Sequence, residues 1–274
     1  MDAFKETIIK PSRGWVAVDF KELWHFRELL FALVARDIAV RYKQTLLGVA
    51  WAVLQPFLTM VLFTLLGKIA NIPTENNIPY PIFSYSGLLL WTYFSQSITK
   101  GANSLIASEN LVKKIYFPRM MIPLSSTFVG LLDYAIAGTI LIGMVFFYHY
   151  PITPKILLCP LVLFITWLLA TGTTLWFSAL NVEYRDITFI IPFFVQAWLF
   201  LSPVIYPTSL VKKYRWLFYL NPMTGLINAH RFAFLSKGRF DTPSFLTALV
   251  VTGCILISGL YYFRRMEKTF ADVI

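Results

Sequence analysis

Six long, nearly charge-free apolar stretches recur along this chain, at residues 46–66, 82–98, 120–148, 156–180, 187–206 and 245–263. The hydrocarbon core of a bilayer needs about 20 apolar residues per spanning helix. Such a helix satisfies its own backbone hydrogen bonds, which lipid cannot do. The pattern predicts an all-α, polytopic membrane protein with six transmembrane helices. Charged residues make up 14% of the chain, against about 25% in soluble domains. Six spans use nearly half of the 274 residues and leave no room for a separate soluble catalytic domain. Residues 1–274 therefore read as one membrane domain: a cytoplasmic lead and interface helix at 1–45, a six-span core at 46–263 and a cytoplasmic tail at 264–274. The first 20 residues are polar and mixed, without the short apolar region of a cleavable signal.

The net charge of +10 fits a positive-inside bias and anionic headgroups, not nucleic acid. Sixteen Lys and Arg fall before span one, between spans two and three, between spans four and five and in the tail; eight fall in the other connections. This places both termini in the cytoplasm. Cys159 and Cys254 lack metal or redox spacing and read as packing residues. His25, His149 and His230 form no metal motif, and no phosphate-binding loop, dinucleotide fingerprint or nucleophile elbow occurs. The chain thus offers no catalytic residues, metal site or cofactor of its own. If it uses ATP, the ATPase is another chain.

Residues 21–43 read as an amphipathic helix lying in the membrane interface. Lys21, His25, Glu28, Arg36 and Lys43 share one face, and Leu23, Phe26, Leu30, Leu33 and Val34 the opposite one. Arg41 departs from the pattern by falling on the apolar side. Residues 207–243 are apolar enough to dip into the membrane and read as outer-side re-entrant helices before the last span.

Several constellations have both a functional and a plain structural reading. Arg36, Arg41 and Lys43, with Tyr42, cluster cations at the mouth of span one. They suit either phosphate oxygens or ordinary lipid headgroups. Trp51, Gln55 and Phe57 in span one, with Trp91 and Tyr93 in span two, offer aromatic faces and hydrogen-bonding edges. These fit a sugar passage or simple helix packing. Residues 109–117 read as a short amphipathic helix stopped by Pro118, either docking on a soluble partner or turning the chain. Asp133 is the only acid inside an expected span; it is a functional candidate by default, or a group bonded to a neighbouring helix. Asn181, Glu183, Arg185 and Asp186 suggest a local ion-pair network between spans four and five.

In this order, the pieces resemble the permease subunits of bacterial type 2 ABC exporters for polysaccharides and polyol phosphates. The resemblance rests on Arg36-Asp37, Arg41-Tyr42, Leu47-Gly48, Trp51 and Gln55-Pro56. Lys114 to Arg119, Asn181-Val182 with Arg185-Asp186, Tyr206-Pro207 and Asn221-Pro222-Met223 support it. It implies a homodimer in the inner membrane, paired with two copies of an ABC ATPase that binds ATP and Mg. The substrate it implies is a polyprenyl-diphosphate-linked glycan such as O-antigen. Arg36, Arg41 and Lys43 would meet the diphosphate, and Trp51, Gln55, Phe57, Trp91 and Tyr93 would line the channel. Glu109, Lys113, Lys114, Tyr116, Phe117, Arg185 and Asp186 would couple to the ATPase. The alternatives are a teichoic acid or capsule exporter, a drug or simple-lipid exporter, a membrane-embedded glycosyltransferase and a passive channel.

Overall fold

A polar, hydroxyl-rich helix is stable in an apolar bundle only where other helices cover it and its hydroxyls find carbonyls. This rule sets the architecture. The computed structural model describes residues 20–43, 48, 50–210, 215–237 and 240–270, and among these it contains helices and no strand. The central helix, α4, is Tyr80–Ala107. Its Ser84, Ser86, Ser95, Thr99 and Ser104 hydroxyls all bond to carbonyls three or four residues back. Three long helices surround it: α3 (Ala50–Ile69), α6 (Met121–Phe147) and α7 (Leu158–Glu183), with α4 packed most closely on α6 and α7. The last long helix, α11 (Thr242–Met266), packs on α7. There the backbones touch: a Cβ on Gly259 would lie 2.5 Å from the Gly172 carbonyl oxygen. Such close approach is how small residues join membrane helices.

Four helical stretches are long and apolar enough to cross a membrane: Ala50–Ile69, Met121–Phe147, Pro154–Glu183 and Thr242–Met266. The other two expected spans differ. α4 runs beyond the expected end at residue 98 and is more polar than a lipid-facing helix, as its covered position allows. The span expected at 187–206 is a helix only over α8 (Ile187–Phe200). Its 14 residues span about 21 Å, and the chain then turns through Pro203.

The helix expected at 21–43 is two helices, α1 (Phe20–His25) and α2 (Arg27–Lys43), broken at Phe26. Leu23, Phe26, Leu30 and Leu33 pack as anticipated, in a second core with the ends of α4, α6, α7 and α11. Trp24, Phe31 and Val40 are exposed as well, so the uncovered surface of α1 and α2 is not uniformly charged. Gly48, between α2 and α3, has φ +47°. A Cβ would meet only the Tyr42 carbonyl, at 3.5 Å, so backbone conformation and not space favours glycine there. The lead at 1–19, residues 44–47, which include the expected start of span one, and the tail end at 271–274 lie outside the described residues.

Within 207–243 the described helices are α9 (Arg215–Leu220) and α10 (Pro222–Leu235). Asn221 caps α10, its Oδ1 accepting from the Met223 backbone N–H at 3.0 Å and from Trp198 Nε1 at 2.9 Å. Its Nδ2 donates to the Leu201 carbonyl and Ser202 Oγ, both at 2.9 Å. The Asn-Pro-Met sequence thus starts α10 and ties it to the end of α8.

Candidate functional site

The C-terminal turns of α2 meet α4 and α6 through a polar network. Arg41 forms an ion pair with Asp133 on α6, and the Tyr42 hydroxyl donates to the same carboxylate. Arg41 Nη2 donates to Gln96 Oε1 on α4 at 2.7 Å, and Gln96 Nε2 to Gln55 Oε1 on α3 at 3.2 Å. The Arg41 and Asp133 side chains are only 23% and 12% exposed. Two oddities of the sequence are therefore one feature: the arginine that falls on the apolar side of the 21–43 pattern is the partner of the lone acid in the expected spans. Polar groups can be held at that depth when paired in this way.

One turn earlier, Arg36 Nη2 lies 2.7 Å from Asp37 Oδ1, and Ser125 Oγ on α6 donates to Asp37 Oδ2 at 2.9 Å. Beside these pairs a groove of about 490 Å³ opens between α2, α4 and α6. Arg36, Arg41 and Lys100 line it together with Ser104, Asn110 and Ser126. Of the three cations singled out in the sequence, Arg36 and Arg41 share this groove. Lys43 is exposed at the end of α2, outside the lining. Lys100 was missed, because hydropathy placed it just beyond a span and gave no hint of its neighbours.

The Tyr42 phenol is pushed up to about 12, by burial first and then by its bond to the Asp133 carboxylate and that group's charge. Its proton is held more tightly in the folded than in the unfolded chain. The stabilisation is complete below the ordinary value near 10 and disappears as pH rises through about 12. The solubilised wild-type protein should therefore lose more apparent Tm between pH 10 and 12 than Tyr42→Phe. Parallel losses in the two proteins would contradict this.

The aromatic set divides. On α3, Trp51 is 50% and Phe57 39% exposed, with Gln55 exposed one turn after Trp51. Trp91 and Tyr93 are instead buried in the chain's own core. Trp91 packs near Phe94, and the Tyr93 ring lies edge-on to Tyr134. They belong to the central helix and pack against side chains of neighbouring helices.

The helix expected at 109–117 is shorter: α5 covers Glu109–Lys114, and the chain is extended at Ile115. Lys113 Nζ lies 2.6 Å from Glu109 Oε1. That hydrogen bond and charge, with Arg185 adding to them, hold the Glu109 carboxyl below its usual range. Val112 and Phe117 are buried, whereas Ile115 and Tyr116 are exposed. Lys114, Arg185 and Asp186 are exposed as well. The expected ion-pair network at 181–186 is replaced by amides. Asn181 Nδ2 donates to the Ala102 carbonyl and Asn103 Oδ1, both at 3.0 Å, and Thr188 Oγ1 donates to Asn181 Oδ1 at 2.9 Å. Among the described residues Arg185 and Asp186 form no ion pair. A second cluster went unnoticed in the sequence. Arg264 pairs with Glu267 and with Glu22 of α1, and Arg119 donates its backbone N–H to Glu267 Oε1 at 2.8 Å. It joins α1, the loop after α5 and the end of α11.

A family model described as ABC-2 type transporter matches residues 28–235. The chain is 28% identical over 258 residues to an O-antigen export system permease protein RfbA of Myxococcus xanthus, covering 93% of this chain and 98% of the relative. An RfbA of Klebsiella pneumoniae is also 28% identical, covering 92% and 97%. A polysialic acid transport protein KpsM of Escherichia coli is 23% identical, covering 86% and 93%. With its polytopic helices and a match over most of its length, the chain belongs to the ABC-2 type transporter family, as a membrane-embedded permease subunit that works with an ABC ATPase.

Proposed function

We propose that this permease exports a lipid-linked polysaccharide of the O-antigen type, carried on a polyprenyl diphosphate, across the bacterial inner membrane. The observation that carries the reading is the similarity, over nearly the full length of both chains, to permeases named for O-antigen export. In this reading two copies form the channel and bind two ATPase subunits, which hold ATP and Mg. The chain makes six passes, α4 and α8 supplying the two beyond the four apolar helices. Both termini are cytoplasmic, and α9 and α10 form the outer re-entrant hairpin. Arg36, Arg41 and Lys43 meet the diphosphate. The glycan slides over Trp51, Gln55 and Phe57, with Trp91 and Tyr93 behind them on α4. Weak stacking on aromatic faces favours movement, since tight binding at one position would stall a polymer. Export of a capsule-type glycan is the second reading, favoured by the similarity to KpsM.

Coupling runs through α5, with Glu109, Lys113, Lys114, Tyr116 and Phe117, and through Arg185 and Asp186. Glu109→Arg replaces an exposed i,i+4 pair by three like charges, with Lys113 and Arg185 beside it. It should reduce export at least tenfold, an effect of only about 1.4 kcal/mol, while the subunit still inserts. The test is co-purification of wild type and variant with the ATPase, followed by hydrolysis with and without a lipid-linked glycan. Stimulated hydrolysis in the wild type and its loss in the variant support the reading. Full export by the variant would remove α5 from the coupling path.

A further inference from the structure

Each carboxylate beside the basic groove has two partners, one arginine and one hydroxyl. Asp37 is held by Arg36 and by Ser125, and Asp133 by Arg41 and by Tyr42. If either arginine turns to an incoming anion, its carboxylate still holds one hydroxyl donor, on the oxygen that the arginine does not pair with, which offsets part of the cost of leaving the acid without its cation. The third cation, Lys100, forms no ion pair among the described residues. It lies on the face of α4 that also carries Ser104 toward the groove. The volume of about 490 Å³ is within the range of small-molecule sites.

Resting on the exporter reading above, we infer that this groove seats the diphosphate, that Lys100 is a direct ligand of it, and that Asp37 and Asp133 are exchangeable counter-ions. The diphosphate takes Arg36 and Arg41 from the two carboxylates, and Ser125 and Tyr42 retain those carboxylates. Lys100 contributes an ammonium that needs no release, so it makes the first contact. Ser104, Asn110 and Ser126 supply neutral donors to the remaining oxygens. Tyr42 and Ser125 are positioning residues in this scheme: they touch the carboxylates and not the ligand.

The test uses the permease–ATPase complex in phosphatidylcholine nanodiscs, with the nucleotide sites saturated with ADP. Farnesyl diphosphate is the titrant, and inorganic pyrophosphate and farnesol are the competitors. Lys100→Gln should weaken farnesyl diphosphate binding about tenfold, as expected for loss of one charge-assisted contact, and Lys100→Arg should restore it. Tyr42→Phe should weaken binding severalfold although it removes no ligand contact, because Asp133 then holds Arg41 more tightly. Farnesol should not compete. Pyrophosphate competing only in large excess assigns the groove to a lipid headgroup. Pyrophosphate competing at equal concentration supports the groove and assigns it to the free anion. Wild-type binding by Lys100→Gln, with binding lost in Arg36→Gln or Arg41→Gln, overturns the inference and leaves the exporter reading intact. Unchanged binding in all three variants overturns the headgroup reading as well.

Discussion

Arg231→Met should lower the apparent Tm of the solubilised protein more than any other single substitution of a charged residue in α10 or the segment before it. Arg231 is 7% exposed and forms no ion pair with a carboxylate among the described residues. Its guanidinium clasps three backbone carbonyls: Nε donates to Phe83 at 3.2 Å, Nη1 to Pro203 at 2.6 Å, and Nη2 to Val204. Cζ lies 3.7 Å from the centre of the Phe83 ring. The turn after α8 has no regular backbone ladder, and this fork holds it against α4 and α10. The Phe83 carbonyl keeps Ser86 Oγ as a donor, but methionine removes the donor of the Pro203 and Val204 carbonyls, at about 1–3 kcal/mol each, so a total of about 2–6 kcal/mol is expected. Lysine should not rescue, because an ammonium on a flexible stem cannot reproduce the planar fork. Gly87→Ala attacks the same clasp from the other side. Its Cβ would lie 2.6 Å from Arg231 Nη2 and 2.9 Å from the Val204 oxygen. Thermal melts of the three variants check this, and near-wild-type stability of Arg231→Met would dismiss the clasp.

Asp133→Ala should be nearly as damaging, for a different reason. It strands a mostly buried guanidinium and removes the acceptor of Tyr42. Breaking a buried pair from one side costs about 3–5 kcal/mol, whereas replacing both partners with apolar groups of similar size costs far less. Arg41→Met combined with Asp133→Leu should therefore be more stable than Asp133→Ala alone. It should also lose export, because the Asp37–Ser125 hydrogen bond is then the directional contact left between α2 and α6. A double-mutant cycle on apparent Tm measures the coupling. If the single effects simply add, the ion pair does not hold the two helices together.

These features show what the sequence made legible. Its apolar stretches placed the long helices, and the positions of Leu23, Phe26, Leu30 and Leu33 placed the buried face of the interface helix. Periodicity also marked Arg41 and Asp133 as misfits. It could not pair them, because 91 residues of chain separate the two and helix rotation is set by packing. Hydropathy misjudged the extent of α4 and the continuity of α8. A covered helix tolerates serine and threonine, and an apolar run can continue through a turn. For Trp91 and Tyr93 the sequence left a passage and helix packing both open, because an aromatic composition does not tell an open face from a central helix. Arg231 was counted only as one of the eight cations in the other connections. The signal for its role is a single arginine within the otherwise uncharged, largely apolar run 222–235, where a buried fork is one of the few stable arrangements. Lys100, Arg119 and Glu267 acquire meaning only from the elements packed beside them.

The measurement that bears most directly on the account is translocation itself. The permease–ATPase complex is reconstituted in proteoliposomes with a lipid-linked polysaccharide in the outer leaflet and the ATPase facing outward. Transfer is read as glycan protected from an added glycosidase. The account predicts ATP-dependent protection that is lost in Glu109→Arg and reduced in Lys100→Gln. A stable complex that hydrolyses ATP while all the glycan stays accessible would contradict it.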